Sequence, residues 1–362
     1  MRLMKKFTTI SQQRKPAYVL ATLFLLFLLQ NTSCMRMGTP LPKSQAPWTF
    51  AVISDTQDDN RQKTNKTCVN DTVMRAIAED IARGKPDLVI VVGDLVNGWF
   101  RNGGTDYDTQ YMNWKKAMGP VYASGIPVYP VRGNHDSGPE RLVLPPLPAH
   151  LEPPADTLIF LKESFRKHFA ESYIPKNGPV GEEGLTYSFD HKNAFFVGLD
   201  QYTGRQHKIN QAWLDRQLAG NIKPHVFIYG HEPAFQADHR DNLGFYPKDR
   251  DNFWNAIGSA GAKIYFCGHD HFYNRALVHD ETGNPIRHII AGTGGGVLRK
   301  WSGIYKDGKR VQGEFHNGNH HGYVLVTVDG TMVTVAWKAI LKQDATVSWK
   351  ILDRFTYTIP IE

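Results

Sequence analysis

The sequence predicts an α/β protein, a single domain built on two sheets. Residues 48–136 alternate strand-length apolar runs with helical segments, reading β-α-β-α-β. That order implies a parallel sheet with right-handed crossovers. Beyond residue 273, short apolar runs separated by turn signals make the last third β-rich. No linker-like stretch interrupts residues 48–362.

The elements follow in order. Trp48 to Ile53 is a buried strand run ending at Ser54-Asp55. Asp71 to Arg83 carries Val73, Met74, Ile77, Ala78 and Ile81 on one helical face, and Gly84 stops it. Asp87 to Val92 is a strand ending at Gly93-Asp94, Tyr111 to Ala123 a helix, and Ile126 to Val131 a strand ending at Gly133-Asn134-His135-Asp136. Pro139 to Pro154 reads as an irregular proline-rich insertion, and Leu158 to Phe169 as a helix. Leu185–Phe189 and Ala194–Leu199 form a hairpin turning at His191-Lys192-Asn193. Gln211–Leu218 and Asp251–Ser259 read as helices. His225–Tyr229 and Ala262–Phe266 read as strands ending at Gly230-His231 and Gly268-His269-Asp270-His271. Four short strands close the chain: Tyr273–Val278, Ile286–Ala291, Tyr323–Val328 and Met332–Trp337, the last pair turning at Asp329-Gly330.

Composition narrows the function classes. Of 362 residues, 41% are hydrophobic and 21% charged, which excludes a disordered, collagenous or coiled-coil chain. Three cysteines with no Cys-x-x-Cys pair exclude a disulfide framework, a zinc ribbon and thioredoxin-type redox chemistry. The net charge of +7 is concentrated at the start, where residues 1–33 hold five basic residues and no acidic one. The other 37 basic and 35 acidic residues leave +2, too little to drive nucleic-acid binding by counter-ion release.

The basic start leads into thirteen mostly apolar residues, Ala17 to Leu29. A secretory core segment spans about 7–15 residues and a membrane-spanning helix about 20, so residues 1–33 read as a signal peptide. A non-cleaved anchor is the alternative. Asn31-Thr32-Ser33-Cys34 resembles a bacterial lipoprotein cleavage site, with Asn31 where leucine is usual. Cys34 is then the lipidated residue, residues 34–47 a tether, and the expected location the bacterial cell envelope, facing the periplasm. Cys68 and Cys267 read as free thiols rather than a bridge.

The chemistry lies at the strand ends. Asp55, Asp94 and Asn134 are spaced by 39 and 40 residues and each closes a strand, so all three fall at one carboxyl-terminal sheet edge. Open α/β sheets place ligands at that edge. His231, His269 and His271 also follow strands directly. Any one of these six residues would serve as a strand cap; all six together indicate metal ligation. Carboxylate, amide and imidazole donors suit zinc, manganese or iron. An aspartate placed between two ions can bridge them, and paired ions about 3.5–4 Å apart recur in phosphoester hydrolysis.

Asp55-x-Gln57, Gly93-Asp94, Gly133-Asn134-His135-Asp136, Gly230-His231 and Gly268-His269-x-His271, in this order, resemble the signature of calcineurin-like metallophosphoesterases. The resemblance covers residues 48 to about 275, with the β-rich remainder consistent with a second sheet. It implies a four-layer α/β/β/α sandwich and two metal ions (manganese, iron or zinc). It implies hydrolysis of phosphoric mono- or diesters by metal-bound hydroxide. Asp94 would bridge the ions. Asp55, Gln57 and His271 would hold the first, and Asn134, His231 and His269 the second. His135 would be the general acid and Asp136 would orient it. Gln57 departs from the pattern, because histidine is usual there. Asn97 stands where purple acid phosphatases carry tyrosine, so an iron–tyrosinate centre is not expected. The resemblance leaves two other readings: a non-catalytic metal- or phosphate-binding lipoprotein, and an exported nuclease. The expected partner is a small phosphoester. The membrane is met only through the N-terminal segment, and nucleic acid is not expected.

Weaker signals remain. Gly292-Thr293-Gly294-Gly295-Gly296 reads either as a phosphate cradle, with Gly294 and Gly295 touching substrate, or as a plain turn. His316, His320 and His321 read as a substrate or third-ion patch, with His320 the candidate contact, or as a solvated loop. Trp99, Phe100 and Tyr107 read as pocket walls or as packing. His231-Glu232-Pro233 begins like a metallopeptidase motif, but Phe235 replaces the second histidine. Asn65 and Asn70 match glycosylation acceptors, which a bacterial lipoprotein would leave bare.

Overall fold

Near-continuous apolar runs build the parallel strands of both sheets, buried on both faces, and the partners of each face decide the layering. The computed structural model describes residues 46–58, 67–98, 106–138, 155–203, 207–343 and 346–360. They belong to one compact unit, residues 46–362. Residues 1–33 and Cys34, Asn65, Trp99, Phe100 and the Pro139–Pro154 insertion lie outside the described residues. Among the described residues no helix is long and apolar enough to cross a membrane.

The elements run β1 (Trp48–Ile53), α1 (Asp71–Gly84), β2 (Leu88–Val92), α2 (Tyr107–Ala117), α3 (Gly119–Ala123), β3 (Val128–Val131) and α4 (Asn134–Ser137). Next come α5 (Ala155–Phe169), β4 (Tyr187–His191), β5 (Ala194–Leu199), α6 (Gln211–Ala219), β6 (His225–Gly230), α7 (Pro247–Ser259) and β7 (Ile264–Cys267). Six strands end the chain: β8 (Tyr273–His279), β9 (Pro285–Ala291), β10 (Val311–Asn317), β11 (Gly322–Asp329), β12 (Met332–Gln343) and β13 (Thr346–Thr358). A six-stranded sheet has the order β13-β12-β11-β1-β2-β3, and a seven-stranded sheet β10-β8-β9-β7-β6-β5-β4. β1, β2 and β3 are parallel, as are β5, β6 and β7.

Alternation sets the four layers. In β1, Ala51 and Ile53 face Met74, Ile77 and Ile81 of α1 and Trp114 of α2, while Phe50 and Val52 face the other sheet. Phe196, Phe227 and Phe266 meet them there. Phe50 packs edge-on against Phe196 and Phe227, with ring centroids 5.2 and 4.9 Å apart. The far face of the second sheet buries Ile228 and Tyr265 against Trp213 of α6 and Trp254 of α7. Each such side chain contributes about 1.5–3 kcal/mol on burial.

The structure departs from the sequence reading at several elements. The expected helix Tyr111–Ala123 begins at Tyr107 and breaks at Met118, where Gly119-Pro120 starts a new short helix. β3 begins at Val128, because Ile126 still bonds back to Val121 of the helical turn. Two strands are additional. β10 has Gly313 at an irregular register and little alternation. β13 and β12 slip register at Trp337/Lys338, which moves the alternating apolar residues to the other face: Trp349 packs with the α1 side and Phe355 and Tyr357 with the layer between the sheets. Cys68 and Cys267 are both free and buried.

Candidate metal centre

The expected ligand residues meet where both sheets end on the same side. Asp55 and Gln57 follow β1, Asp94 follows β2, Asn134 opens α4 after β3, His231 follows β6, and His269 and His271 follow β7. All are buried except the half-buried His271. Three of them, Asp55, Asp94 and His269, have φ of 54°, 52° and 71°, a region non-glycine residues seldom adopt. Such backbone persists where surrounding contacts over-determine it, as at ligand sites. Here Asp55 N–H bonds to the Gly93 carbonyl at 3.1 Å and His135 N–H to Asp94 Oδ1 at 2.8 Å. His269 N–H reaches both Asp55 oxygens at 3.0 Å. A Cβ on Gly133 would lie 2.1 Å from Asp94 Oδ1, so only glycine lets the third loop approach Asp94 this closely.

The donors form two groups that share one carboxylate. Asp94, His231 and His269 each place a ligand atom within 4.8 Å of the others, and Asp55, Asp94 and His271 do the same. On one side Asn134 Oδ1 lies 3.0 Å from His231 Nε2 and 2.7 Å from His269 Nδ1, and His231 Nε2 is 3.3 Å from Asp94 Oδ2. On the other, His271 Nε2 is 3.5 Å from Asp55 Oδ1. Gln57 Nε2 stands 3.2 Å from both Asp94 Oδ2 and His271 Nε2. Backbone carbonyls fix two rings: Val92 takes His231 Nδ1 at 2.9 Å and Val297 takes His271 Nδ1 at 3.0 Å. Both leave Nε2 facing inward, the usual arrangement of a metal-ligating histidine.

Burial and neighbouring charges shift the titration of these groups. Burial pushes the Asp55 carboxyl up to about 7. Burial and the Asp94 charge push Asp136 up to about 7. Burial would also raise Asp94, but His231 and His135 hold it below the ordinary carboxylate range. Burial acts against a proton on His231, yet Asp94 lifts that ring to about 10. Burial pushes His271 down to about 3. Converging carboxylate, amide and imidazole donors of this kind fit a pair of divalent cations.

His135 is half-buried at the mouth, its Nε2 3.8 Å from Asp94 Oδ2 and its Nδ1 3.0 Å from the Asn97 carbonyl. Asp136, expected to orient this ring, meets backbone groups of two loops. Asp136 Oδ2 accepts from Gly133 N–H at 2.8 Å and Leu95 N–H at 3.1 Å, bracing the loops after β2 and β3. The Asn97 carbonyl holds the imidazole instead, and the Tyr107 hydroxyl donates to the His135 carbonyl at 2.9 Å. Tyr107 is thus a buried support rather than a pocket wall.

Gly294 and Gly295, expected as a phosphate cradle or a plain turn, lie against the turn after β1. Gly294 N–H donates to the Ser54 carbonyl at 2.9 Å and Gly296 N–H to that of Asp55 at 2.7 Å. The Gly295 carbonyl accepts from Asn70, which also caps α1. The loop packs its backbone against the turn that carries Asp55. The three late histidines separate. His316 packs on Phe272 and Trp301, His320 bonds to Asn317 at 3.2 Å, and His321 bonds to the Thr293 carbonyl. His320 thus bonds within its own turn.

Sequence reasoning missed two features. His239, in the loop before α7, packs against His269 with centroids 4.6 Å apart and the rings tilted by 50°, and its Nδ1 is 2.6 Å from Asp270 Oδ1. Nothing in its spacing marks it, because it lies on an irregular loop. Beneath the centre, Arg132 and Asp200 form a fully buried two-point ion pair at 2.6 and 3.2 Å, joining the end of β3 to the end of β5. Only their position at strand ends could have suggested it.

Comparison with known proteins agrees with this geometry. The family model for calcineurin-like phosphoesterases matches residues 49–273, and the chain belongs to that family. The structure of PhoD is similar at TM-score 0.65 and 15% identity, covering 88% of this chain and 71% of that one. A purple acid phosphatase from yellow lupin (Lupinus luteus) seeds gives 0.62 and 18%, covering 88% of this chain and 55% of that one. A dimetal phosphatase from Danio rerio gives 0.53 and 16%, covering 86% and 99%. At these identities the likeness establishes the shared fold. No curated protein matches the chain.

Proposed function

We propose that the protein is a metal-dependent hydrolase of phosphoric mono- or diesters. The observation that carries this reading is the pair of donor groups sharing Asp94 at the common edge of two sheets. Asp55, Gln57, Asp94 and His271 would hold one ion, and Asp94, Asn134, His231 and His269 the other. Such ions supply Lewis acidity toward phosphoryl oxygens and activate water for attack. The chain's own residues do the rest. Asp94 sets the spacing of the two positions. His135, its Nδ1 held by the Asn97 carbonyl, places Nε2 3.8 Å from Asp94 Oδ2, at the edge of both donor groups. As an imidazolium it can pass that Nε2 proton to the leaving oxygen. His135→Ala tests the assignment: turnover of p-nitrophenyl phosphate and bis-p-nitrophenyl phosphate falls about 10²–10⁴-fold while metal content stays unchanged. Loss of metal together with turnover would place His135 among the ligands instead.

The leader supports export and attachment through a lipid on Cys34 in a bacterial envelope. Labelling with a fatty-acid analogue tests it: Cys34→Ser should abolish the label, and a label that survives would refute it.

A further inference from the structure

The two halves of the centre differ at one residue, and its amide points the wrong way for a ligand. Gln57 is fully buried, and its Nε2 donates to Asp94 Oδ2 at 3.2 Å. The same nitrogen lies 3.2 Å from His271 Nε2. Because His271 Nδ1 is engaged with the Val297 carbonyl at 3.0 Å, the inward nitrogen of that ring is an acceptor. Two acceptors therefore converge on one amide NH₂ group, with Asp55 Oδ1 3.5 Å from the same His271 nitrogen. Meanwhile Gln57 Oε1 is buried with no hydrogen-bond partner. A buried orphan acceptor costs about 1–3 kcal/mol, so its persistence calls for an explanation.

We propose that the two positions fill in sequence, because Gln57, whose NH₂ faces Asp94 and His271, must turn its amide over to present Oε1 to an ion. The Asn134–His231–His269 position needs no such turn, because Asn134 Oδ1 already faces both rings at 3.0 and 2.7 Å. It fills first. The Gln57 position fills second and more weakly. It offers one imidazole among oxygen donors, a set that favours manganese over zinc relative to its two-imidazole neighbour. This rests on the metal-hydrolase reading above and adds to it the order and selectivity of loading.

The test is equilibrium metal binding by the metal-free full chain, with Mn²⁺ and Zn²⁺ titrated separately and bound ions counted. The wild type should bind two ions in steps at least about tenfold apart in dissociation constant. Gln57→His should tighten the weaker step by about tenfold or more and leave the tighter one unchanged. Gln57→Leu, similar in bulk but without a donor, should retain one ion. Two equal steps in the wild type would overturn the proposal without recourse to any variant. So would an unchanged weak step in a folded Gln57→Leu protein. Failure to bind any ion would instead refute the metal-hydrolase reading itself, so the two failures are distinguishable.

Discussion

The two sheets contribute different chemistry to one edge. The six-stranded sheet supplies oxygen and amide groups: Asp55, Gln57, Asp94 and Asn134, each within a few residues of a parallel strand end. The seven-stranded sheet supplies three imidazoles: His231, His269 and His271. Neither sheet alone presents a complete ligand set, because each donor group contains residues from both. The centre is therefore a property of sheet packing. The aromatic layer between the sheets and the Arg132–Asp200 pair that joins them hold the donors in register.

Predictions follow from breaking each side in turn. The largest effect should come from Asp94→Ala, which removes the residue common to both groups. Metal content should fall toward zero and turnover to background, measured by elemental analysis and hydrolysis on one sample. His271→Ala removes a ligand from one group only. It should lose about one ion per chain and keep the Asn134 side loaded; loss of both ions would mean the sides are not separable.

The link between sheets is the next point to break. Arg132→Met leaves Asp200 buried and unpaired, and should cost about 3–5 kcal/mol in urea unfolding. Adding Asp200→Leu removes the stranded charge and should recover most of that loss. A single variant as stable as wild type would show that the pair does not couple the sheets.

The smallest effect concerns the seven-stranded sheet alone. His288 in β9 is buried, and its Nε2 accepts from Ala234 N–H at 3.0 Å. Burial pushes its ring from 6.5 down to about 3. Between those values the unfolded chain binds a proton that the native state refuses, so stability rises with pH across that window and falls as pH drops through it. Replacing His288 by Gln should flatten this part of the profile, read as melting temperature against pH; an unchanged slope would assign acid sensitivity elsewhere.

Much of this was legible in the sequence because strand ends and ligands coincide. Asp55, Asp94 and Asn134 recur at near-equal spacing because each β-α unit has a similar length, and parallel strands bring them to one edge. What escaped notice depends on contacts between distant segments. The Asn97 carbonyl that holds His135 carries no side-chain signal. His239 sits on an irregular loop with no period to place it. The glycines of 292–296 invite a phosphate-cradle reading, yet the Gly294 and Gly296 N–H groups turn to Ser54 and Asp55, 240 and 241 residues away. β13 itself was legible, with Val347, Trp349, Ile351, Phe355 and Tyr357 at alternate positions, although it is not among the expected strands.

The central claim is that the two sheets close on a pair of metal ions that serve phosphoester hydrolysis. It is tested most directly by counting metal and turnover on the same purified chain, before and after chelation. The account predicts about two ions per chain. Hydrolysis of p-nitrophenyl phosphate or its bis ester should vanish on chelation and return with manganese, zinc or iron. A folded chain that binds no ion under any of these metals and cleaves neither ester would contradict it.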